Sequence, residues 1–298
     1  MYRFLRIIVL LALVGGLGFW LLTRPTTEPE SNLAGLEGDA ARGEVIFYAG
    51  GCASCHAREG ASGEEKLVLA GGMGFPSAFG TFYAPNISSD PEAGIGTWSA
   101  LDLVNAMKHG TSPEGQHYYP AFPYTSYARA DLQDIVDLHA FLQTLPADAT
   151  PSKPHDVGFP FNIRRSLGGW KLLFLKDGWV IEDVEGPQLE RGRYLVEALG
   201  HCGECHTPRN ALGGLKTGEW LAGAVNPDGK GRTPGITPAT LDWSAGDVAE
   251  YLSSGFTPDF DSVGGHMAAV VENTAQLSQE DRDAIAAYVK AVPEVAKE

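Results

Sequence analysis

The 298-residue chain contains few cysteines, few methionines and few basic side chains. All four cysteines fall in two short runs, at residues 52–56 and 202–206, so no thiol remains for a disulfide or a catalytic nucleophile. The 22 lysines and arginines face 37 acidic residues, which gives a formal net charge of −15. That balance argues against binding to nucleic acid or to anionic lipid. The excess of acidic residues is consistent with docking to a basic patch on a partner protein. It is equally consistent with an acidic surface that only keeps the protein soluble.

Both runs have the pattern Cys-x-x-Cys-His, which is the signature of covalent haem attachment. The two thiols add across the porphyrin vinyl groups, and the histidine that follows becomes the proximal iron ligand. The sequence therefore predicts two covalently bound haem c groups, held by Cys52, Cys55, His56, Cys202, Cys205 and His206. A four-cysteine zinc site is the alternative. Zinc pairs usually lie within a few tens of residues and need no following histidine, whereas these pairs lie 150 positions apart.

The chain also repeats itself. Four segments recur in the same order, with offsets between 145 and 152. They are Arg42-Gly43 and Arg191-Gly192, Leu69-Ala70-Gly71 and Leu221-Ala222-Gly223, Trp98-Ser99-Ala100 and Trp243-Ser244-Ala245, and Gly110 to Pro113 with Gly255 to Pro258. Each half therefore reads as one small helical domain that carries one haem.

The motifs and the duplication resemble the dihaem, membrane-anchored c-type cytochromes of bacterial respiratory chains and periplasmic dehydrogenases. The resemblance implies an all-α fold, with two tandem cytochrome c domains preceded by one N-terminal transmembrane helix. It also implies that the terminal helix of each domain approaches closely at Gly43 or Gly192, with Phe141 or Tyr288 in the contact. The expected segments are a membrane anchor or signal peptide at 1–24, a tether at 25–36, the first domain at 37–147, a connector packed between the domains at 148–186, and the second domain at 187–298.

The N-terminus joins Arg3 and Arg6 to an uncharged run at residues 7–22. As a helix, that run covers about 24 Å at 1.5 Å per residue, slightly less than a hydrocarbon core of about 30 Å. It ends at Trp20 and Arg24 without a small-x-small cleavage site, which favours a retained anchor over a cleaved signal peptide. Either way the basic end stays inside. We therefore expect an anchor in the bacterial cytoplasmic (inner) membrane and haem domains in the periplasm.

The chain offers few distal iron ligands, since it has only four methionines and one of them is the initiator. A high-potential electron-transfer haem normally has a methionine sulfur opposite its histidine. Met267 is expected to be that ligand for the haem on His206; its alternative role is to fill a gap in the core. An offset of 145 places Phe122 opposite Met267, and a phenyl ring cannot ligate iron.

The haem on His56 must then take its sixth ligand elsewhere or have none. Our first candidate is His117, five residues before Phe122. The other candidates are His109, Tyr118, Tyr119 and Met73. A bis-histidine haem would lie at lower potential than a histidine–methionine haem, which would make haem 1 the donor and haem 2 the acceptor.

Three functions fit these features. The first is an electron carrier without catalytic residues, passing single electrons between a periplasmic dehydrogenase or quinol-oxidising complex and an oxidase or soluble cytochrome. The second is a haem enzyme acting at an open haem 1, on peroxide or on a sulfur compound such as thiosulfate. The third is a structural subunit that anchors a larger oxidoreductase. Residues 163–175 are too apolar for a solvated linker and predict a helix at the domain junction, with partner binding or membrane contact as the alternative.

Overall fold

The first helix of the computed structural model, which describes residues 1–295, is the predicted apolar one. It is α1, Tyr2–Leu22, and none of its residues is buried. Its mean hydropathy is 2.3, so it can cross a membrane by length and composition. A signal sequence passes the same test, and the helix therefore fits both interpretations of the N-terminus.

The two halves of the chain fold into matching series of helices. The first half contains α2 (Ala40–Ala49), α3 (Cys52–His56), β1 (Gly74–Ser77), β2 (Gly80–Tyr83), α4 (Ala100–His109), α5 (Tyr124–Tyr127) and α6 (Leu132–Leu142). The connector contains α7 (Ser166–Phe174). The second half contains α8 (Pro187–Arg193), α9 (Gly203–His206), β3 (Ala224–Val225), β4 (Arg232–Thr233), α10 (Ala245–Ser254), α11 (His266–Thr274) and α12 (Gln279–Ala291).

The predicted helical architecture is confirmed, with two small antiparallel hairpins as its only strands among residues 1–295. In the first hairpin Gly74 pairs with Tyr83 and Ser77 with Gly80. Short 3-10 turns cover Glu30–Leu33, Gly63–Leu67 and Thr217–Glu219. One hydrophobic core runs through both halves and includes residues of α2, α6 and α12.

The first and last helices of each half cross at a glycine, as expected. A Cβ on Gly43 would overlap the Asp137 carbonyl oxygen of α6, and a Cβ on Gly192 would overlap the Ala284 carbonyl oxygen of α12. The Cβ atoms of Phe141 and Tyr288 lie beside these two glycines. Only a residue without a side chain permits this backbone contact.

An extra residue in the second half is absorbed by a π-helical turn at Tyr194–Leu199. Gly200 N–H bonds to the Leu195 carbonyl, five residues back, at 2.7 Å. Its counterpart Gly50 bonds to the Ile46 carbonyl, four residues back, at 2.8 Å. The wider turn explains why Arg191 lies eleven residues before its cysteine and Arg42 ten, and such turns are frequent at functional sites.

Hydrogen bonds hold the segment after α1, which the sequence predicts to be a tether, against the first half. Thr23 is only 2% exposed. Glu28 bonds through its backbone N–H to Asn105 Oδ1 at 2.7 Å and through its carboxylate to His109 Nε2 at 2.9 Å. Thr111 Oγ1 donates to the Thr26 carbonyl at 2.9 Å. These bonds fix the end of α1 relative to the domain, and the composition of the segment gave no sign of them.

The connector touches both halves of the chain. Lys171 on α7 donates to the His109 and Gly110 carbonyls at the end of α4, at 2.6 and 2.7 Å. Trp170 on the same helix donates through Nε1 to the Leu212 carbonyl of the second half at 2.8 Å. Residues 163–175 thus contain the helix that their apolar composition predicted.

Candidate haem-attachment sites

The first Cys-x-x-Cys-His run forms a single helical turn directly after α2. Gly51, in a left-handed conformation, separates the two helices, and α3 then carries Cys52, Cys55 and His56. Neither cysteine is in a disulfide. His56 Nδ1 lies 2.9 Å from the Pro85 carbonyl oxygen. Because a carbonyl only accepts, Nδ1 carries the proton and Nε2 keeps its lone pair for a metal.

The second run repeats this geometry at α9. His206 Nδ1 lies 2.8 Å from the Pro234 carbonyl oxygen. The glycine that ends each Leu-Ala-Gly segment also bonds to the proximal histidine, since Gly71 N–H donates to the His56 carbonyl and Gly223 N–H to the His206 carbonyl, both at 2.7 Å. The repeated Leu-Ala-Gly segments therefore hold the backbone of the two histidines that are predicted to bind iron.

The two prolines were missed by the sequence analysis, although a signal for them exists. Pro85 and Pro234 each begin a Pro-x-Ile segment, and the two segments lie 149 positions apart. The isoleucine N–H of each segment donates to the leucine carbonyl of the same half's Leu-Ala-Gly segment, at 2.9 Å in both halves. This bond holds the proline carbonyl beside Nδ1 of a histidine that lies 29 positions earlier in the first half and 28 positions earlier in the second.

The folded chain raises the pKa of the cysteine thiols in both runs. Burial raises the pKa of Cys52 to about 12 and that of Cys55 to about 11, and it raises the pKa of Cys202 to about 12. Zinc would need thiolates that converge on one point. Among residues 1–295 no three His, Cys, Asp or Glu side chains are grouped as metal ligands. Thioether attachment needs two thiols and axial ligation needs a histidine with a free Nε2, and each run supplies both.

Both proximal histidines are neutral donors in their folded environment. Burial lowers the pKa of His56 and of His206, and the proline carbonyl bond opposes that shift only in part. A neutral imidazole with Nδ1–H bonded is the form that binds iron. The chain therefore holds each histidine in its ligating tautomer and orientation.

The structure supports the register that pairs Phe122 with Met267. Isolated β-bridges join Thr111 to His117 in the first half and Phe256 to Ser262 in the second, both pairs offset by 145. Met267 lies half-buried in the first turn of α11. Its role as iron ligand remains a prediction.

Phe122 occupies the matching position of the first half. Its ring centroid lies 5.7 Å from that of Tyr127 and 6.0 Å from that of Tyr118. Tyr127 in turn donates to the Gly50 carbonyl at 3.4 Å, next to the attachment segment. An aromatic cluster thus stands where the second half presents a thioether.

His117, our first candidate for the sixth ligand of haem 1, is used elsewhere. It is 3% exposed, and its Nε2 lies 2.9 Å from the Thr23 carbonyl at the end of α1. His109 pairs with Glu28, and Tyr119 packs on Phe82 at 5.1 Å. These hydrogen bonds and contacts do not support His117 as a ligand. The ring of Tyr118 packs edge to face on that of Phe122.

The two attachment segments pack against each other. His201 Nε2 lies 3.3 Å from the Gly50 carbonyl, and the rings of His201 and Tyr127 meet edge to face at 5.7 Å. Asn273 of α11 donates to Ser54 Oγ, between the first two cysteines, at 2.9 Å. The redox centres that these segments would carry are therefore close neighbours within one core.

A glutamate inside the second motif adds a polar link between the halves. Thr125 Oγ1 of α5 donates to Glu204 Oε1 at 2.8 Å, and Arg209 pairs with the same carboxylate. The bonds from Arg209 and Thr125 lower the pKa of Glu204 despite its burial. The attachment turn of the second half is thus tied to the helix that follows Phe122 in the first.

Comparison with known proteins gives the family. The cytochrome c family model matches residues 40–146. Over 288 residues, which cover 97% of this chain and 97% of the relative, the chain is 60% identical to a diheme cytochrome c-type protein of Cereibacter sphaeroides. The chain belongs to the dihaem c-type cytochromes. Haem c bound through thioether bonds follows from this membership and from the two motifs.

The cytochrome also resembles subunits of larger oxidoreductases. It is 38% identical over 262 residues to a nicotinate dehydrogenase subunit of Pseudomonas putida, covering 84% of this chain and 21% of that protein. It is 38% identical over 261 residues to the fructose dehydrogenase cytochrome subunit of Gluconobacter japonicus, covering 85% of this chain and 52% of that protein. The cytochrome thus spans about a fifth and about half of these two relatives.

Proposed function

We propose that this dihaem cytochrome carries single electrons in the periplasm, between a dehydrogenase or quinol-oxidising complex and an oxidase or soluble cytochrome. The observation that carries the proposal is the packing of the two attachment segments through Gly50, Tyr127 and His201. Each haem supplies a one-electron iron couple when bound. The chain holds the two haems side by side, fixes each proximal histidine and excludes water from the surrounding core.

A membrane anchor at α1 is part of the proposal. The helix carries Arg3 and Arg6 in its first two turns and is uncharged from residue 7 to its end at Leu22. These features support an N-terminus on the cytoplasmic side of the inner membrane. The test is the mature N-terminus: it should still include residues 1–24, and the protein should stay with membranes after a high-salt wash. A mature chain that starts after residue 24 would show that the segment is a signal peptide.

We infer that the electron donor is a dehydrogenase. The names of the Pseudomonas and Gluconobacter relatives identify them as parts of such enzymes, and the net charge of −15 favours docking to a basic surface. Purification from native membranes without crosslinker should bring down the partner, and the partner's substrate should then reduce both haems. If the cytochrome purifies alone, and no dehydrogenase substrate reduces it in intact membranes, the proposal is wrong.

A second candidate function is catalysis at an open haem 1, and Phe122 is the observation that favours it. Optical and electron paramagnetic spectra of the ferric protein separate the two functions. A high-spin signal from one haem that shifts with cyanide or peroxide would support catalysis. Two low-spin haems whose spectra do not change when cyanide or peroxide is added would support electron transfer alone. Phe122→Met provides the matched variant, because a thioether at that position should convert an open haem 1 to a low-spin form.

A further inference from the structure

The connector carries an unusual exposed surface. After α1, the described residues include eleven large hydrophobic side chains that are exposed, and five of them lie between positions 159 and 173. We call these five the connector face; they are Phe159, Phe161, Ile163, Leu172 and Leu173. Phe159 is 81% exposed and Leu173 is 61% exposed. Five exposed apolar side chains within fifteen residues make this segment a candidate contact site.

The end of α1 lies directly against the same part of the connector. The Arg165 guanidinium stands over the Trp20 ring at 4.0 Å and bonds to the Trp20 carbonyl. Arg165 Nε also donates to Thr23 Oγ1 at 3.0 Å. Gly168 of α7 packs on the Thr23 backbone so closely that a Cβ there would lie 2.5 Å from the Thr23 carbonyl oxygen. Tryptophans at the ends of membrane helices lie at the membrane–water interface. Because these contacts attach α7 to Trp20 and Thr23, they hold α7 close to the depth of that interface.

The helical rise places the exposed leucines near that level. Leu172 and Leu173 follow Gly168 by four and five residues, which is about 6–8 Å along the helix. The buried positions of α7 are Leu167, Gly168 and Lys171, so the inward face of the helix is already used. Leu172 is 57% exposed and Leu173 is 61% exposed, and the helical rise keeps both within about 8 Å of the level of Gly168 along α7.

The charge of the segment differs from that of the rest of the protein. Residues 157–176 contain four basic side chains and no acidic one, in a chain with 37 acidic residues. Arg164 and Arg165 are half-buried and Lys176 is exposed, while Lys171 caps α4 from the interior. Apolar side chains flanked by cations, beside the end of an anchor, match an anionic lipid surface.

We propose that the connector face inserts into the interfacial region of the bilayer, so that the cytochrome rests on the membrane at a fixed orientation. This inference rests on the proposed anchor role of α1. It reverses, for this one segment, the expectation that the acidic protein avoids anionic lipid. A fixed orientation would keep both haem domains at one height above the membrane, where a membrane-bound partner can reach them.

Site-directed spin labelling of the full, haem-loaded protein in vesicles tests the proposal. The native cysteines carry haem, so Leu172→Cys and Leu173→Cys each provide a single thiol for the label. Phe260→Cys, at a position 87% exposed in the second half, is the matched control, and Leu13→Cys reports on α1. The vesicles contain phosphatidylcholine and phosphatidylglycerol. Collisions with oxygen and with a water-soluble nickel chelate give the depth of each label.

We expect labels at Leu172 and Leu173 to lie about 5–10 Å below the lipid phosphates, with the Phe260 label in water and the Leu13 label deep in the bilayer. Aqueous labels at both leucines with a deep Leu13 label would overturn this inference and leave the anchor intact. An aqueous Leu13 label would overturn the anchor itself. Leucine labels shielded from both reagents would mean that protein covers the face, and this result would also refute membrane contact.

Discussion

Replacing Glu197 by alanine should destabilise the whole molecule, because this carboxylate joins three parts of the chain inside the protein. Glu197 has no exposed surface. Its oxygens accept hydrogen bonds from the backbone N–H groups of Val180 (2.6 Å) and Ile181 (3.0 Å) in the connector, and from the Tyr288 hydroxyl of α12. The Arg129 guanidinium of the first half lies 3.7 Å away. The substitution removes the one group that all of these donors share.

The size of the effect follows from what is left behind. Removing one partner of a buried ion pair costs about 3–5 kcal/mol, and each buried donor without an acceptor costs about 1–3 kcal/mol. Arg129 keeps two carbonyl acceptors, Gly178 at 2.8 Å and Thr125 at 2.7 Å, which limits the first cost. We expect Glu197→Ala to lower the free energy of unfolding by about 3–5 kcal/mol. Glu197→Gln keeps one acceptor oxygen and the side-chain volume, so its cost should be smaller.

Thermal unfolding of the haem-loaded protein, followed by circular dichroism, measures this loss. At about 2–4 °C per kcal/mol, Tm should fall by about 6–20 °C for Glu197→Ala. Glu182→Ala, at an exposed acid of the connector, is the control and should move Tm by less than about 2 °C. A Glu197→Ala variant that unfolds within the margin of its control would refute the role of Glu197 as the link between the halves.

Three further predictions concern the helix crossings, the distal ligand and pH. Gly43→Ala and Gly192→Ala should each lower the free energy of unfolding by about 1–3 kcal/mol or more, because the new Cβ would overlap backbone atoms. Gly169→Ala is the control, since open space surrounds that glycine. A comparison of the Tm values of the three variants with that of the wild type tests this prediction. Met267→Ala should abolish the sulfur-to-iron charge-transfer absorbance and lower the potential of one haem only; an unchanged band would remove Met267 from the iron. Burial lowers the pKa of Lys171 to about 7, below an unfolded value of about 10.4. Between these two pH values the unfolded chain binds more protons than the folded one, so the free energy of unfolding rises with pH. The urea midpoint of the wild type should therefore increase with pH, and that of Lys171→Met should increase less. An equal increase in the wild type and in Lys171→Met would show that Lys171 is not the titrating group.

Short, local signals in the sequence predicted most of the fold and the attachment sites. The Cys-x-x-Cys-His runs are complete within five residues, and the glycines at positions 43 and 192 mark helix contacts that no side chain can enter. The proline carbonyls that orient His56 and His206 lie 29 and 28 positions further along the chain, in Pro-x-Ile segments that repeat at an offset of 149. They were missed because a backbone acceptor leaves no chemical signature in the side chain.

Contacts between distant segments could not be predicted in the same way. Nothing in the sequence near His117 indicates that its Nε2 meets the Thr23 carbonyl, 94 positions away. The same holds for Glu28, which lies in the predicted tether and bonds to Asn105 and His109. Composition describes how a segment behaves in isolation, whereas these contacts depend on which surfaces the fold brings together.

The haem content of the chain tests the central claim most directly. Intact mass and the pyridine haemochrome spectrum of the purified, exported protein should give two covalently bound haems per polypeptide. Replacing both Cys52 and Cys55 by serine, or both Cys202 and Cys205, should leave one haem in each case. A wild-type chain that carries one haem or none, or that loses its colour on acid extraction, would contradict the account.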